Sequence, residues 1–344
     1  MAAADILGAA MLAALVFYVL LGGADFGGGI WDLLASGPRA REQRAAIEHA
    51  IGPIWEANHV WLILVIVVLF TGFPPAFAAI SIALFVPLVL LLVGIVLRGA
   101  AFTFRVYHAG NAPMQSAWGV AFSVSSVLAP LALGASVGAL ASGRLRLQPG
   151  SGGVPEGGWF AWLAPFPLAI GVYAAALFAL VAAAYLAVET EGALREDFRK
   201  RAIGAAVAVF LAAAVALGLS WRNAPIVFEG LTRRGWSLPF HLATGAAAVL
   251  AFWALATRRV RLARAAVVAQ AALIVAGWGA SQYPFIVVPD VTLASASAPA
   301  RTQHLLILAL AGGSLLLFPC LYLLFRVFKG QRAFSMIDRR PRAG

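Results

Sequence analysis

One cysteine in 344 residues, Cys320, leaves no partner for an internal disulfide and too few thiolates for a zinc or iron–sulfur cluster. It stands in an apolar run near the C-terminus, where the plain reading is a small buried residue. Charge is also scarce, since Asp, Glu, Lys and Arg make up 11% of the chain. Five histidines and four methionines complete a short supply of metal ligands. His49, His59, His108, His241 and His304 lie at or outside the ends of apolar runs, and Met11 is the one methionine inside such a run. Haem ligands usually sit well inside facing helices. Self-contained haem binding and a metal site are therefore not expected of this chain.

What remains is apolar: 62% of the residues are hydrophobic and the mean hydropathy is +0.90. No soluble fold could bury that much apolar surface, so the expected class is an all-α polytopic membrane protein. Its net charge of +11 sits in short segments between apolar runs, which argues for membrane topology and against a nucleic-acid-binding face. The first apolar stretch, Ile6 to Leu21, has no basic segment before it and no small-residue cleavage pattern, and reads as a retained helix.

Nine spans are predicted, near 6–22, 54–72, 76–97, 117–140, 161–187, 202–220, 239–256, 265–283 and 303–327. Nineteen of the 25 Lys and Arg residues fall after odd-numbered spans or in the C-terminal tail, which puts the N-terminus outside and the C-terminus in the cytoplasm. Trp55, Trp61, Trp118, Trp159, Trp162, Trp221, Trp236 and Trp278 lie near span ends, as an aromatic belt would place them. The Gly- and Pro-rich stretch from Ala141 to Trp159 reads as an external linker. The resulting division is a four-helix bundle over 1–140, a linker over 141–160, a second four-helix bundle over 161–290, and a ninth helix with a basic tail over 291–344.

Most acidic residues read as solvated, among them Glu42, Glu156, Glu196, Asp197, Glu229 and Asp338. Asp25 and Glu56 do not, because both belong to the cytoplasmic ends of membrane spans. The glycines around Asp25 in "LGGADFGGGIWDLL" are not a phosphate loop, since no Lys-Ser or Lys-Thr follows them. They suit close helix approach or local unwinding. Glu56 and His59 are three residues apart and are expected to share a helix face, with Asn58 beside them. Two readings of Glu56 stand: a helix cap that favours the macrodipole, or a carboxylate that handles protons. Arg98 and Arg105 close the third span, and Arg98 reads either as the counter-charge of Asp25 or Glu56 or as a snorkelling anchor. In "GWGASQYPFIVVPDVTLASASAP", Tyr283, Phe285 and Ile286 are expected to stay exposed for a lipid, a quinone or a partner.

The segments "GGADFGGGIWDLL", "RAAIEHAIGPIWEANHVWLI", "LFTGFPPAFA", "LRGAAFTFR" and "YPFIVVPDVTLASASAP", taken in order, resemble subunit II of the cytochrome bd-type quinol oxidases. The resemblance covers nearly the whole chain. It implies a plasma-membrane heterodimer that oxidises quinol and reduces dioxygen to water with cytoplasmic protons. Haems of b- and d-type then belong to subunit I. Subunit II carries none, can hold a structural quinone, and leaves room for a small accessory subunit. Glu56, flanked by Trp55 and Asn58, corresponds to the acid of the proton route, Asp25 to an acid of the first-helix motif, and Arg98 to an arginine at the end of the third helix. Three departures are visible: Glu56 stands where Asp is common, His59 where an acid or amide is common, and Gly22 where the motif has its first acid. Asp290-Val-Thr-Leu is closer to the cyanide-insensitive branch. Beside proton delivery stand two other readings, a purely structural membrane partner and a proton-coupled transporter. The second would show ionisable pairs at the bilayer midplane.

Overall fold

The computed structural model describes residues 2–52, 55–107, 112–146 and 159–329. Pro53, His108, Glu156, Asp338, most of the Gly/Pro-rich linker and the basic tail from Gln331 onward lie outside them. Thirteen α-helices run through the described residues: α1 Ala3–Leu33, α2 Ala40–Ile51, α3 Trp55–Asn58, α4 Val60–Gly72, α5 Pro74–Ala83, α6 Phe85–Tyr107, α7 Ala112–Ala141, α8 Pro165–Glu189, α9 Gly192–Asn223, α10 Pro225–Thr232, α11 Ser237–Ala256, α12 Val260–Gln282 and α13 Ala300–Lys329. With α3 and α4 counted as one, nine helices among the described residues are long and apolar enough to cross a membrane.

α1 is the organising helix. Its 31 residues give a rod of about 46 Å, and it packs against α4, α7, α8 and α12. The remaining strong packings are α6 on α7, α7 on α8, α8 on α9, and α11 on α12, while α13 touches α1 and α4 at the edge. The glycines of α1 make the close approach possible without unwinding the helix. A Cβ on Gly27 would overlap the carbonyl oxygen of Phe178, and one on Gly29 would overlap the Ser126 hydroxyl. Gly27→Ala is therefore expected to lower stability by at least about 3 kcal/mol, because a helix backbone cannot step aside cheaply. The thermal midpoint of the purified protein checks this. Gly204→Ala, whose added Cβ would meet nothing within 4 Å, is the control, expected to stabilise α9 by about 0.5–1 kcal/mol through helix propensity.

Several boundaries differ from the sequence reading: the first helix runs on to Leu33, which leaves Asp25 inside it and not at its end, and the sixth begins at Gly192. The third span begins at Phe85, after the separate helix α5, whose start is set by Pro74 and Pro75 in its first turn. It then continues past residue 97, so Arg98 is an interior residue of α6 with 1% exposure, not a snorkelling end. Gly37, at φ +78°, turns the chain from α1 into α2. α2 buries Gln43, Ala46, Ile47 and Ile51, so this connection is a packed amphipathic helix. Asp197, expected in solvent, clasps α2 to α9. It accepts from Arg39 at 2.8 and 2.6 Å and from Gln43 at 3.0 Å. That hydrogen bond holds the Arg39 guanidinium above its ordinary range. Glu196 pairs with Arg199 at 2.6 Å and with Arg258 at 3.6 Å. Cys320 is exposed rather than buried, because α13 lies at the edge of the chain with its apolar face outward.

Candidate functional site

Asp25 sits on α1 at 3% exposure, deep for a carboxylate. Asn58 Nδ2 donates to its Oδ2 at 2.6 Å and approaches the Leu21 carbonyl at 3.5 Å. Asn58 is itself 2% exposed. Arg98 reaches in from α6, with its guanidinium 4.9 Å from the centre of the Phe26 ring and 5.3 Å from that of Phe122. Asp25 is the carboxylate that acts electrostatically on Arg98. A buried cation in an aromatic clamp and a buried anion held by an amide thus lie within electrostatic range of each other, and their attraction offsets part of the desolvation of each. His59 completes the wall. Its ring lies 6.1 Å from Tyr18, 5.9 Å from Phe26 and 6.1 Å from Trp55.

Glu56 does not join this group. It is exposed, while His59 is half-buried, so the two helix neighbours differ in burial. Three residues along a helix turn a side chain by about 60° net, and the edge of the buried face falls between the two. The chain also breaks regular helix here, with the His59 amide donating to the Glu56 carbonyl at 3.3 Å. Glu56 heads an exposed stripe that continues through Val60, Ile63, Val67 and Phe70. Trp55 stands between the two sides, and its ring would meet a Cβ added to Gly99.

Sequence reasoning passed over a second buried acid. Asp32, on the last turn of α1, is 3% exposed. It pairs with Arg105 at 3.0 Å and accepts from Ser123 at 2.9 Å. Glu48 of α2 stands 3.9 Å from the same arginine. Arg105 is therefore a tie between α1, α2 and α6, not a free anchor. The signal available was the spacing of Asp32 from Asp25: seven residues, two turns on one helix face.

The segment that follows α12 also differs from expectation. Phe285–Val287 and Val291–Thr292 pair as a short antiparallel hairpin, β1 and β2. Ile286 is buried, Phe285 is half-buried, and Tyr283 alone of the three is exposed. The hairpin packs Ile286 and Val287 among Leu7, Phe73 and Leu145, so the chain covers its own apolar run. Tyr283 donates to Asp5 at 3.3 Å. A larger apolar space lies elsewhere, a cavity of about 490 Å³ bounded by α1, α7, α8, α9, α10, α11 and α12. Its few polar side chains include Ser220, His241, Thr244 and Trp278. His241 Nε2 lies 2.8 Å from the Leu231 carbonyl. The indole N–H of Trp278 is buried without a hydrogen-bond partner among the described residues. Among those residues no three His, Cys, Asp or Glu side chains converge as a metal site.

Comparison with known proteins gives a consistent result. The family described as cytochrome bd terminal oxidase subunit II matches residues 3–328. The chain is similar to the cytochrome bd-I ubiquinol oxidase subunit 2 of Escherichia coli K12, with 27% identity over 209 residues, 59% of this chain and 53% of that one. It is similar to the cytochrome bd ubiquinol oxidase subunit 2 of Bacillus subtilis 168, with 36% identity over 97 residues, 28% of each chain. The matched region thus spans about half the length of the Escherichia coli relative. The fold is that of a chain in the bd oxidase from Geobacillus thermodenitrificans, with a TM-score of 0.77 at 22% identity, covering 95% of this chain and 99% of that one.

Proposed function

The chain belongs to the cytochrome bd terminal oxidase subunit II family, and from that premise we propose that it is the haem-free partner of a haem-bearing subunit in a quinol:dioxygen oxidoreductase of the bacterial plasma membrane. In this reading it stabilises the partner and supplies protons from the cytoplasm through Glu56. The b- and d-type haems of the partner carry electrons from quinol to dioxygen. The observation that carries the reading is the placement of Glu56, an exposed carboxylate at the charged end of an apolar helix stripe. A carboxylate facing hydrocarbon is costly. One facing a second protein can give its proton across the interface. Asp25, Asn58, Trp55, His59 and Arg98 form the polar wall behind it and keep α1, α3 and α6 in register.

A structural quinone fits the cavity between α7, α9, α11 and α12 better than it fits Tyr283, Phe285 and Ile286. The space is apolar, as an isoprenoid tail requires. The unpartnered Trp278 N–H is a donor that a ring carbonyl could accept from. A transporter site would use broken helices, whereas Asp25 and Arg98 stand on the continuous helices α1 and α6, so the transporter reading gains no support among the described residues. The structural-partner reading shares every feature except the need for a titrating Glu56.

Purification of the chain with its natural partner tests the assignment. A stoichiometric complex with haem absorption, quinol-driven oxygen uptake and an organic-extractable quinone is the expected result. A haem spectrum retained by this chain after the partner is removed would overturn it.

A further inference from the structure

Five buried polar atoms surround the Phe26 ring without a hydrogen-bond partner among the described residues: Tyr18 Oη, both ring nitrogens of His59, and Nε and Nη2 of Arg98. The Tyr18 ring is 6.5 Å from Phe26 and 6.1 Å from His59. The Arg98 guanidinium is 4.9 Å from Phe26, and the Asp25 carboxylate acts electrostatically on both Arg98 and Tyr18. The other unpartnered buried groups in the described chain are indole N–H groups and one amide oxygen at separate places. Here a phenol, an imidazole and a guanidinium converge.

Buried polar groups almost always find a partner, and where the protein offers none, ordered water supplies about two to four hydrogen bonds at a time. The donor inventory then fixes direction. Arginine only donates, so a water held by Arg98 must accept and must turn its own protons elsewhere. A neutral imidazole accepts on one nitrogen, a carboxylate accepts, and a phenol does both. Tyr18 and a neutral His59 are thus the groups at this point that can receive a hydrogen bond and pass one on, and of the two only the Tyr18 hydroxyl rotates to do both at a single atom. Its place there depends on Gly22. A Cβ on Gly22 would stand 2.8 Å from Tyr18 Cε2, so the bare glycine lets the ring lie along α1. Tyr18, Gly22 and Asp25 follow at one-turn intervals on one helix face.

We propose that Tyr18 is a positioning residue for proton delivery, whose hydroxyl orders an internal water cluster between Arg98, His59 and Asp25 that supplies Glu56 from the bundle side. The proposal rests on the proton-route reading above and adds the hydrated segment and the residue that organises it.

Tyr18→Phe in the intact complex with its haem-bearing partner tests it, because the substitution removes one oxygen and keeps the ring. The wild-type density map should show waters bonded to Tyr18 Oη and Arg98. The variant should lose them, its oxygen uptake should fall by about tenfold, and its solvent isotope effect should rise, with haem spectrum and subunit ratio unchanged. Gly22→Ala should push the ring aside and act in the same direction. A purely structural tyrosine would move neither the isotope effect nor the waters. A dry pocket in the wild-type map overturns the proposal even if the variant fails to assemble, and so does an unchanged uptake and isotope effect in Tyr18→Phe. Glu56→Gln, run in parallel, separates the two ideas. A slow Glu56→Gln with a normal Tyr18→Phe removes the water cluster and keeps the route. A normal Glu56→Gln with a slow Tyr18→Phe removes Glu56 and keeps the cluster.

Discussion

Replacing Glu56 by Gln is expected to lower quinol-driven oxygen uptake by at least about a hundredfold, the scale on which a positioned proton carrier acts, while the complex assembles normally. The structure separates the two effects. Glu56 is exposed, and among the described residues its side chain makes no hydrogen bond or ion pair to the buried cluster around Asp25. Gln keeps its size and its capacity to accept a hydrogen bond and removes titration alone. A helix cap would behave otherwise. Its loss should cost a few tenths to about 1 kcal/mol of stability and leave turnover intact. Glu56→Asp should restore most of the rate, since it keeps the carboxylate and shortens its reach by one methylene. Oxygen-electrode traces on purified complex, normalised to haem absorbance, decide the matter. A Gln variant with wild-type turnover would place the essential route elsewhere.

The membrane-spanning skeleton was legible because hydrocarbon thickness sets a length that hydropathy alone can detect. All nine predicted spans have a counterpart among the helices long and apolar enough to cross. The parts that were not legible share one physical cause: their partners lie far away in sequence. α2 escaped because its buried face is too short and too polar for a hydropathy window, and it is fixed by Asp197, more than 150 positions on. Asp32 looked like another acid of a glycine-rich segment until Arg105 and Ser123 met it from α6 and α7. Arg98 ended a hydrophobic run in the sequence but not a helix in the fold. A charge inside a bundle and a charge at its mouth look alike until the neighbouring rings are placed. Tyr18 gave no signal of its own, because an aromatic residue on an apolar helix is ordinary until its hydroxyl is seen to lack a partner. The hairpin at Phe285 misled for the opposite reason. Apolar residues in a predicted loop look exposed unless the loop folds back, and here it does so onto the core around Phe73.

The buried charges predict the largest effect on assembly. Arg98→Met alone is expected to destabilise the protein by up to about 3–5 kcal/mol, the usual cost of leaving a buried charge uncompensated. Asp25 would keep its amide contact with Asn58 but lose the positive charge that acts on it from α6. Asp25→Asn in the same chain should recover much of the loss, because Asn at 25 needs no counter-charge and can still hydrogen-bond to Asn58. The double variant should therefore be more stable than Arg98→Met by itself, a sign reversal that simple additivity cannot give. Arg98→Lys should not substitute well. A planar guanidinium lies over Phe26 and Phe122 at 4.9 and 5.3 Å, and an ammonium presents no flat face to either ring. Thermal midpoints of the four chains of the cycle, with the yield of assembled complex beside them, supply the measurement. If Arg98→Met proved as stable as the wild type, or if the double variant were no better than the single, Asp25 and Arg98 would not be coupled. Arg98 would then be held by its aromatic clamp alone.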